Sequence, residues 1–362
     1  MNVTNIETFI VSVPLIKPFK TAIRTVLSAD SLLVRLDCDN GISGWGEAPA
    51  TVAITGDSLP SIETAIKEYL GPFLMGRNLL FYEEVLPELA RVMVGNTSSK
   101  AALDMAVYDC LSQFSKLPLY EYLGGACGEL ETNMTVSVNS PEEMGDDAGQ
   151  YVEQGFSVLK VKVGIGEIED DIKRVKEIRK RAGQDIRIRL DANQGWSAKD
   201  AIKAIRQMED EGLGIELVEQ PVKAMDLYGL KKVTDHVDTL IMADEAVFSP
   251  KQAMDVIRMR AADLINIKLM KAGGIYQAQI INQLAETAGM ECMVGSMIET
   301  HLGITAAAHF AASKKNITRF DFDAPLMLSK NILEGGLSYQ ANKISLPNEK
   351  GLGIKAVAVQ TH

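Results

Sequence analysis

From residue 126 onward the chain repeats a single unit. Short apolar runs that read as strands end near Val138, Val163, Asp191, Glu219, Asp244, Lys268, Ser296 and Asp323, at steps of 24 to 28 residues. Each gap holds an amphipathic stretch of helical period, such as 169–183 and 198–212. Apolar residues three and four apart mark one face of a helix, whereas a short continuous apolar run marks a buried strand. A strand-then-helix unit repeated eight times predicts a parallel (β/α)8 barrel, in which the helices cover the outer face of a sheet that closes on itself. An open, doubly wound sheet also alternates the two elements. It gives no reason for eight regular repeats, or for acidic residues at successive strand ends.

The first 125 residues read differently. Residues 3–13 alternate in strand fashion, and the runs 31–38 and 42–48 flank Asp39-Asn40-Gly41, a hairpin signal. Between the first two strands, residues 14–30 read as a long loop bearing Lys17, Lys20 and Arg24. Helical periodicity follows over about 58–71, 81–94 and 98–115, with Pro60 placed for a first helical turn. Pro118 and Gly124-Gly125 then interrupt the chain. The expected organisation is an α+β capping domain over 1–125, the barrel over 126–325, and a segment 326–362 that folds back on the capping domain.

Composition narrows the function classes. Hydrophobic residues make up 46% and charged residues 23%, and the net charge is −11 with a pI near 5.0, which argues against a nucleic-acid footprint. No apolar run reaches the length of a membrane span, and the N-terminal residues read as a strand instead of a leader. Cys38, Cys110, Cys127 and Cys292 show no ligand-like spacing, which fits free thiols in a reducing cytoplasm. His301 and His309 fall on an apolar helical stretch and read as packing residues. A homo-oligomer is expected.

Residues at the C-terminal ends of barrel strands converge on one mouth. Asp191, Glu219 and Asp244 end three consecutive strands there, an all-oxygen set suited to Mg2+. Lys160 and Lys162 are two apart on one strand and share a face, and Lys268 arrives four strands later, across the mouth. Repulsion within the Lys160–Lys162 pair predicts that at least one titrates below a free lysine and acts as a base. Bases on two faces of a carboxylate held at a cation predict removal and return of an α-proton: racemisation, epimerisation, or a cycloisomerisation or elimination sharing the first step.

In order, Lys160-Val161-Lys162, Asp191-Ala192-Asn193, Val218-Glu219-Gln220-Pro221, Ala243-Asp244-Glu245 and Ile267-Lys268 resemble the enolase superfamily, muconate-lactonizing subgroup. The resemblance covers the whole chain. It implies Mg2+ on Asp191, Glu219 and Asp244, Lys162 and Lys268 as the acid/base pair, Lys160 tuning Lys162, Asn193 behind the cation site, and Glu245 orienting Lys268. The eighth strand end, Arg319-Phe-Asp321-Phe-Asp323, resembles that of the dipeptide epimerases. Asp321 and Asp323 share a face, and the α-ammonium of a dipeptide is the cation they suit. The resemblance also places Phe19 and Arg24 on one closing loop, Ile54 on a second, Ser296 and Ile298 after the seventh strand and Thr135 on the first. Arg24 favours an acidic substrate side chain, whereas Phe19, Ile54 and Ile298 leave a hydrophobic dipeptide open. Within the subgroup, muconate cycloisomerase, o-succinylbenzoate synthase and N-acylamino acid racemase are the alternatives. A Schiff-base aldolase or a non-catalytic binding protein leaves the three acids or the lysines unexplained.

Overall fold

A computed structural model describes residues 1–125 and 129–358. Cys127, the boundary expected at 126 and the last four residues lie outside the described residues. Three antiparallel strands open the chain, β1 (Val3–Lys20), β2 (Thr25–Cys38) and β3 (Ser43–Pro49), in that spatial order. Gly41 turns the β2–β3 hairpin with φ +80° and donates its N–H to Cys38 at 3.0 Å. The loop expected over 14–30 is instead a two-stranded arm. Pairing continues with a shift from Pro14 opposite Ser28 to Phe19 opposite Val26, and the turn is confined to 21–24. Pro14 and Pro18 suggested a loop because they lack an N–H, but β1 is an edge strand, where a missing donor breaks no ladder.

Helices over Leu59–Thr64, Tyr82–Arg91 and Thr97–Phe114 follow, the first running through a π turn, Ala65–Leu70, into Gly71–Leu74. Ser58 caps the first by accepting the Ser61 N–H. The helix Thr97–Phe114 packs directly on β3. A Cβ at Gly46 would stand 1.9 Å from the Ala102 carbonyl oxygen, so only glycine permits that approach.

After a short strand, β4 (Leu130–Glu131), come the barrel strands β5 (Met134–Val136), β6 (Val158–Lys162), β7 (Arg187–Asp191), β8 (Ile215–Glu219), β9 (Leu240–Ala243), β10 (Leu264–Ile267), β11 (Cys292–Val294) and β12 (Ile317–Phe320). They pair in sequence order, all parallel. The seam between β12 and β5 is closed by other bonds. Asn133 donates its N–H to the Phe320 carbonyl at 3.4 Å, Phe322 to Thr132 Oγ1 at 2.9 Å, and Thr135 to Asp323 Oδ2 at 2.6 Å. Helices follow the first seven strands, whereas β12 leads through a 3-10 turn, Ala324–Met327, into the C-terminal segment. There β13 (Leu333–Gly335) pairs with β16 (Ile354–Val357), and β14 (Ser338–Gln340) pairs with β15 (Lys343–Ser345), which also joins β4. The same segment touches the first 125 residues, with Leu119 donating to the Gly351 carbonyl and Ser329 to that of Pro14, each at 2.9 Å. Among the described residues no helix is long and apolar enough to cross a membrane.

Buried carboxylates fasten the N-terminal elements to the barrel. Glu47 on β3 accepts the N–H groups of Thr300 at 2.9 Å and Gly303 at 2.8 Å, at the start of the helix His301–Ala312. Asp104 accepts those of Ile275 and Tyr276, at the start of Ile275–Thr287. Asp109 joins Trp45 and Leu352, accepting each N–H at 2.9 Å. A helix N-terminus offers unpaired donors and positive dipole, which a carboxylate satisfies. His309 is fully buried, stacks on Tyr120 with ring centroids 5.5 Å apart, and accepts the Tyr120 N–H at Nδ1. His301 packs edge-on to Tyr339. Both act as packing residues.

Candidate active site

Because side chains alternate along a strand, residues two apart at the strand ends face the same interior. Lys160 and Lys162 do so on β6, Asn266 and Lys268 at the end of β10, and Asp321 and Asp323 past β12. Lys162 pairs in register with Asp191, and Asp191 with Glu219, so the sheet itself lines up the charged rows. Asp191, Glu219 and Asp244 are each at most 1% exposed.

The ammonium groups thread between these acids. Lys160 Nζ lies 3.1 Å from Asp191 Oδ2, 2.7 Å from Glu219 Oε2 and 2.8 Å from Asp321 Oδ2. Lys162 Nζ lies 2.6 Å from Asp191 Oδ2, and Lys268 Nζ 2.6 Å from Asp244 Oδ2 and 4.0 Å from Glu219 Oε1. For Lys160 the direction is the reverse of a lowered titration. Burial does press Lys160 down, but Asp321, Glu219 and Asp191 outweigh it and hold it well above the ordinary lysine value. Lys268 is likewise raised, burial being outweighed by Asp244 and Glu219. The neighbouring acids decide the sign.

Glu219 is pushed up to about 8 by burial and by Asp191, despite Lys160. Asn193 Oδ1, Glu245 Oε2 and Asn266 Oδ1 are buried without a hydrogen-bond donor. Orphaned oxygens are rare in a folded interior, and here they cluster beside three crowded carboxylates. That donor set, oxygen only, fits a hard divalent cation. Among the described residues, no three His, Cys, Asp or Glu side chains already stand in a metal-holding group, since Lys160 and Lys268 are interposed.

The supporting contacts sit on unusual backbone. Asn193, Gln194 and Gln220 adopt positive φ of 40°, 68° and 38° just past β7 and β8. Such strain persists only where the surroundings enforce it, often at functional sites. Asn193 donates its N–H to Asp191 Oδ1 at 2.9 Å and its side-chain amide to Glu245 Oε1 at 3.3 Å. Gln220 Oε1 accepts the N–H groups of Asp244 and Ala246. Glu245, expected to orient Lys268, is hydrogen-bonded by Asn193, while the Lys268 ammonium points to Asp244. Burial and Asp244 raise Glu245 to about 7.

Above this floor lies a small cavity of about 40 Å3. Phe19, Thr21, Ile23 and Arg24 from the arm and Ile54 from the loop after β3 form its roof. Thr135, Lys160, Lys162, Asn193, Lys268, Ser296, Met297, Ile298, Asp321 and Asp323 come from the barrel. The structure therefore brings every residue singled out for substrate contact to one cavity, with Asp191, Glu219, Asp244 and Glu245 beneath it. Lys162 Nζ stands 5.6 Å above the Phe19 ring. Asp321 accepts from Asn133 Nδ2 at 2.7 Å and is held down to about 2, burial being outweighed by Lys160 and Lys162. Asp323 is raised to about 7 by burial and by Asp321.

Sequence reasoning passed over Asn266 and Lys271. Asn266 donates Nδ2 to Glu219 Oε1 at 2.7 Å. Lys271 lies 2.6 Å from Asp244 Oδ1. Spacing held the signal for both, two before Lys268 on a strand and three after it on a helix.

Known proteins show the same plan. The N-terminal domain model of mandelate racemase / muconate lactonizing enzyme matches residues 5–124, and the enolase C-terminal domain-like model matches 143–357. The chain is 60% identical over 359 residues to the L-Ala-D/L-Glu epimerase of Bacillus subtilis, covering 99% of this chain and 98% of that protein. It is 46% identical over 338 residues to the hydrophobic dipeptide epimerase of Enterococcus faecalis, covering 93% and 94%. The structure of a substrate-liganded complex of the Bacillus subtilis epimerase superposes with a TM-score of 0.98, covering 99% of this chain and 100% of that one. The Enterococcus faecalis dipeptide epimerase complexed with Mg and L-Leu-L-Tyr gives 0.95 at 43% identity, covering 98% and 100%. The chain belongs to the mandelate racemase/muconate lactonizing enzyme family of the enolase superfamily.

Proposed function

We propose that this protein is a Mg2+-dependent dipeptide epimerase that inverts the α-carbon of the C-terminal residue. The observation that carries the reading is the opposition of two lysines, Lys162 on β6 and Lys268 past β10, across a cavity that Asp321 and Asp323 also line. Asp191, Glu219 and Asp244 would hold the cation. When bound, it would polarise the substrate carboxylate, acidifying the α-proton, and take up charge of Asp244 that otherwise keeps Lys268 protonated.

The remaining work falls to the chain's own residues. One lysine removes the α-proton from its face, and the other returns a proton to the opposite face, so the centre inverts. Lys160, buried among the acids, offers positive charge to the enediolate oxygens. Asp323, with Asp321 beside it, receives the dipeptide's α-ammonium, which the N-acylated and dicarboxylate substrates of other subgroup members lack. Arg24, half-buried in the arm and lowered by burial against the pull of Glu245, brings a cationic side chain to the cavity roof. It suits an acidic C-terminal side chain, as in the L-Ala-D/L-Glu epimerase at 60% identity. The free thiols of Cys38, Cys110 and Cys292 fit work in a reducing compartment.

Incubation with Mg2+ and a dipeptide panel in deuterated water tests this. Deuterium is expected at the C-terminal α-carbon, fastest for Ala-Glu peptides, and Lys268→Ala is expected to abolish exchange from one epimer while sparing part of it from the other. Absence of exchange from every dipeptide would rule the activity out.

A further inference from the structure

Lys271 stands beside the acids but outside the cavity they underlie. It lies on the short helix Leu269–Ala272, three residues after Lys268, and both ammonium groups reach Asp244. It is 1% exposed and does not line the cavity. Its ammonium donates to the carbonyl oxygens of Asp244 and, at 3.1 Å, Asn266, and stands 2.6 Å from Asp244 Oδ1. The Phe248 ring closes another side at 5.6 Å. An ammonium has three donors and no acceptor: two meet these carbonyls, and the charge pairs with Asp244 Oδ1. Lys271 is therefore held in place, whereas Lys268 makes one hydrogen bond, to Asp244 Oδ2, and faces the cavity.

Two consequences follow for the acids. Asp244 is bracketed, with Oδ2 at 2.6 Å from Lys268 and Oδ1 at 2.6 Å from Lys271. The carbonyl that Lys271 holds belongs to Asn266, whose side chain donates to Glu219 at 2.7 Å. One buried ammonium thus links the ends of β9 and β10 and, through Asn266, the end of β8. We propose that Lys271 is a positioning residue: it sets the orientation of Asp244, and with it the cation site and the resting place of Lys268. This rests on the metal-dependent reading of the site.

The test uses the full chain and Mn2+ as the probe, with binding followed by electron paramagnetic resonance without substrate. Lys271→Met keeps the length and apolar stem and removes the charge. It is expected to weaken Mn2+ binding tenfold or more and to lower kcat for both epimers with a smaller change in KM. Lys271→Arg keeps the charge but spreads it over a planar fork, and is expected to fall between the two. Mn2+ affinity of Lys271→Met within twofold of wild type overturns the proposal. If that variant does not fold, Lys271→Arg decides: a loss of threefold or more supports positioning, and unchanged affinity overturns it. Wild-type protein that binds no Mn2+ overturns the metal-dependent reading and this role with it, whereas wild-type binding matched by the variants overturns the role of Lys271 alone.

Discussion

At the scale of single residues, chemistry was legible wherever strand geometry fixed it. Asp191, Glu219 and Asp244 end successive strands, and the two-residue spacing of Lys160 and Lys162 puts both inside the barrel. Titration was not legible, because it depends on which acids surround each lysine, and those come from distant strands. The same contrast separates Asp321 from Asp323. In sequence they are equivalent. In the structure Asp321 is bonded to Lys160 and Asn133, whereas Asp323 accepts the Thr135 N–H at 2.6 Å and is raised to about 7 by burial and by Asp321. A buried carboxylate lacking a cation of its own is the better receptor for an ammonium. Hydrogen bonds to charged groups contribute roughly 1.5–3 kcal/mol. Asp323→Asn is therefore expected to raise the dipeptide KM about tenfold or more, with Mn2+ affinity unchanged. Steady-state kinetics beside a Mn2+ titration would check it, and equal losses in both would place Asp323 with the cation instead.

At the scale of elements, periodicity located the barrel strands to within three residues: the expected ends at Asp191 and Glu219 coincide with those observed, and that at Asp323 lies three beyond Phe320. It failed at the arm, where Pro14 and Pro18 mimic loop composition and edge-strand pairing is invisible without the partner. Contacts between elements were equally hidden. No local signal joins Asp104, inside Thr97–Phe114, to the helix Ile275–Thr287, yet it accepts the first two N–H groups of that helix. Burial raises Asp104 to about 8 against the pull of those two hydrogen bonds. Asp104→Ala leaves those donors buried and unpaired, at a cost of about 1–3 kcal/mol. Asp104→Asn keeps a carbonyl oxygen and is expected to lose less. Urea unfolding of the two variants measures both. Equal losses would show that the side chain fills space and does not cap the helix.

At the scale of the whole molecule, the arm, the barrel and the C-terminal segment meet around groups that the fold keeps out of water. His309 is one of them, stacked on Tyr120 from the N-terminal elements and buried on a barrel helix. Burial lowers it to about 3, against roughly 6.5 in an unfolded chain. The folded protein therefore binds fewer protons there than the unfolded chain between those two values. Its contribution to stability is present above about pH 6.5 and is lost as the pH falls, by about 1.4 kcal/mol per pH unit. Asp104 and Glu299, each raised to about 8 by burial, act in the opposite sense: their contribution is present below the usual carboxylate range and lost as the pH rises toward 8. The total pH profile mixes these terms, but a difference between variants does not. His309→Phe keeps the stack on Tyr120 and removes the titration. Denaturant unfolding at pH 7, 6 and 5 is expected to show wild-type stability falling relative to His309→Phe as the pH drops, with most of the slope below pH 6.5. A flat difference across that range would mean that His309 takes up its proton in the folded state, and that the packing around Tyr120 opens to water.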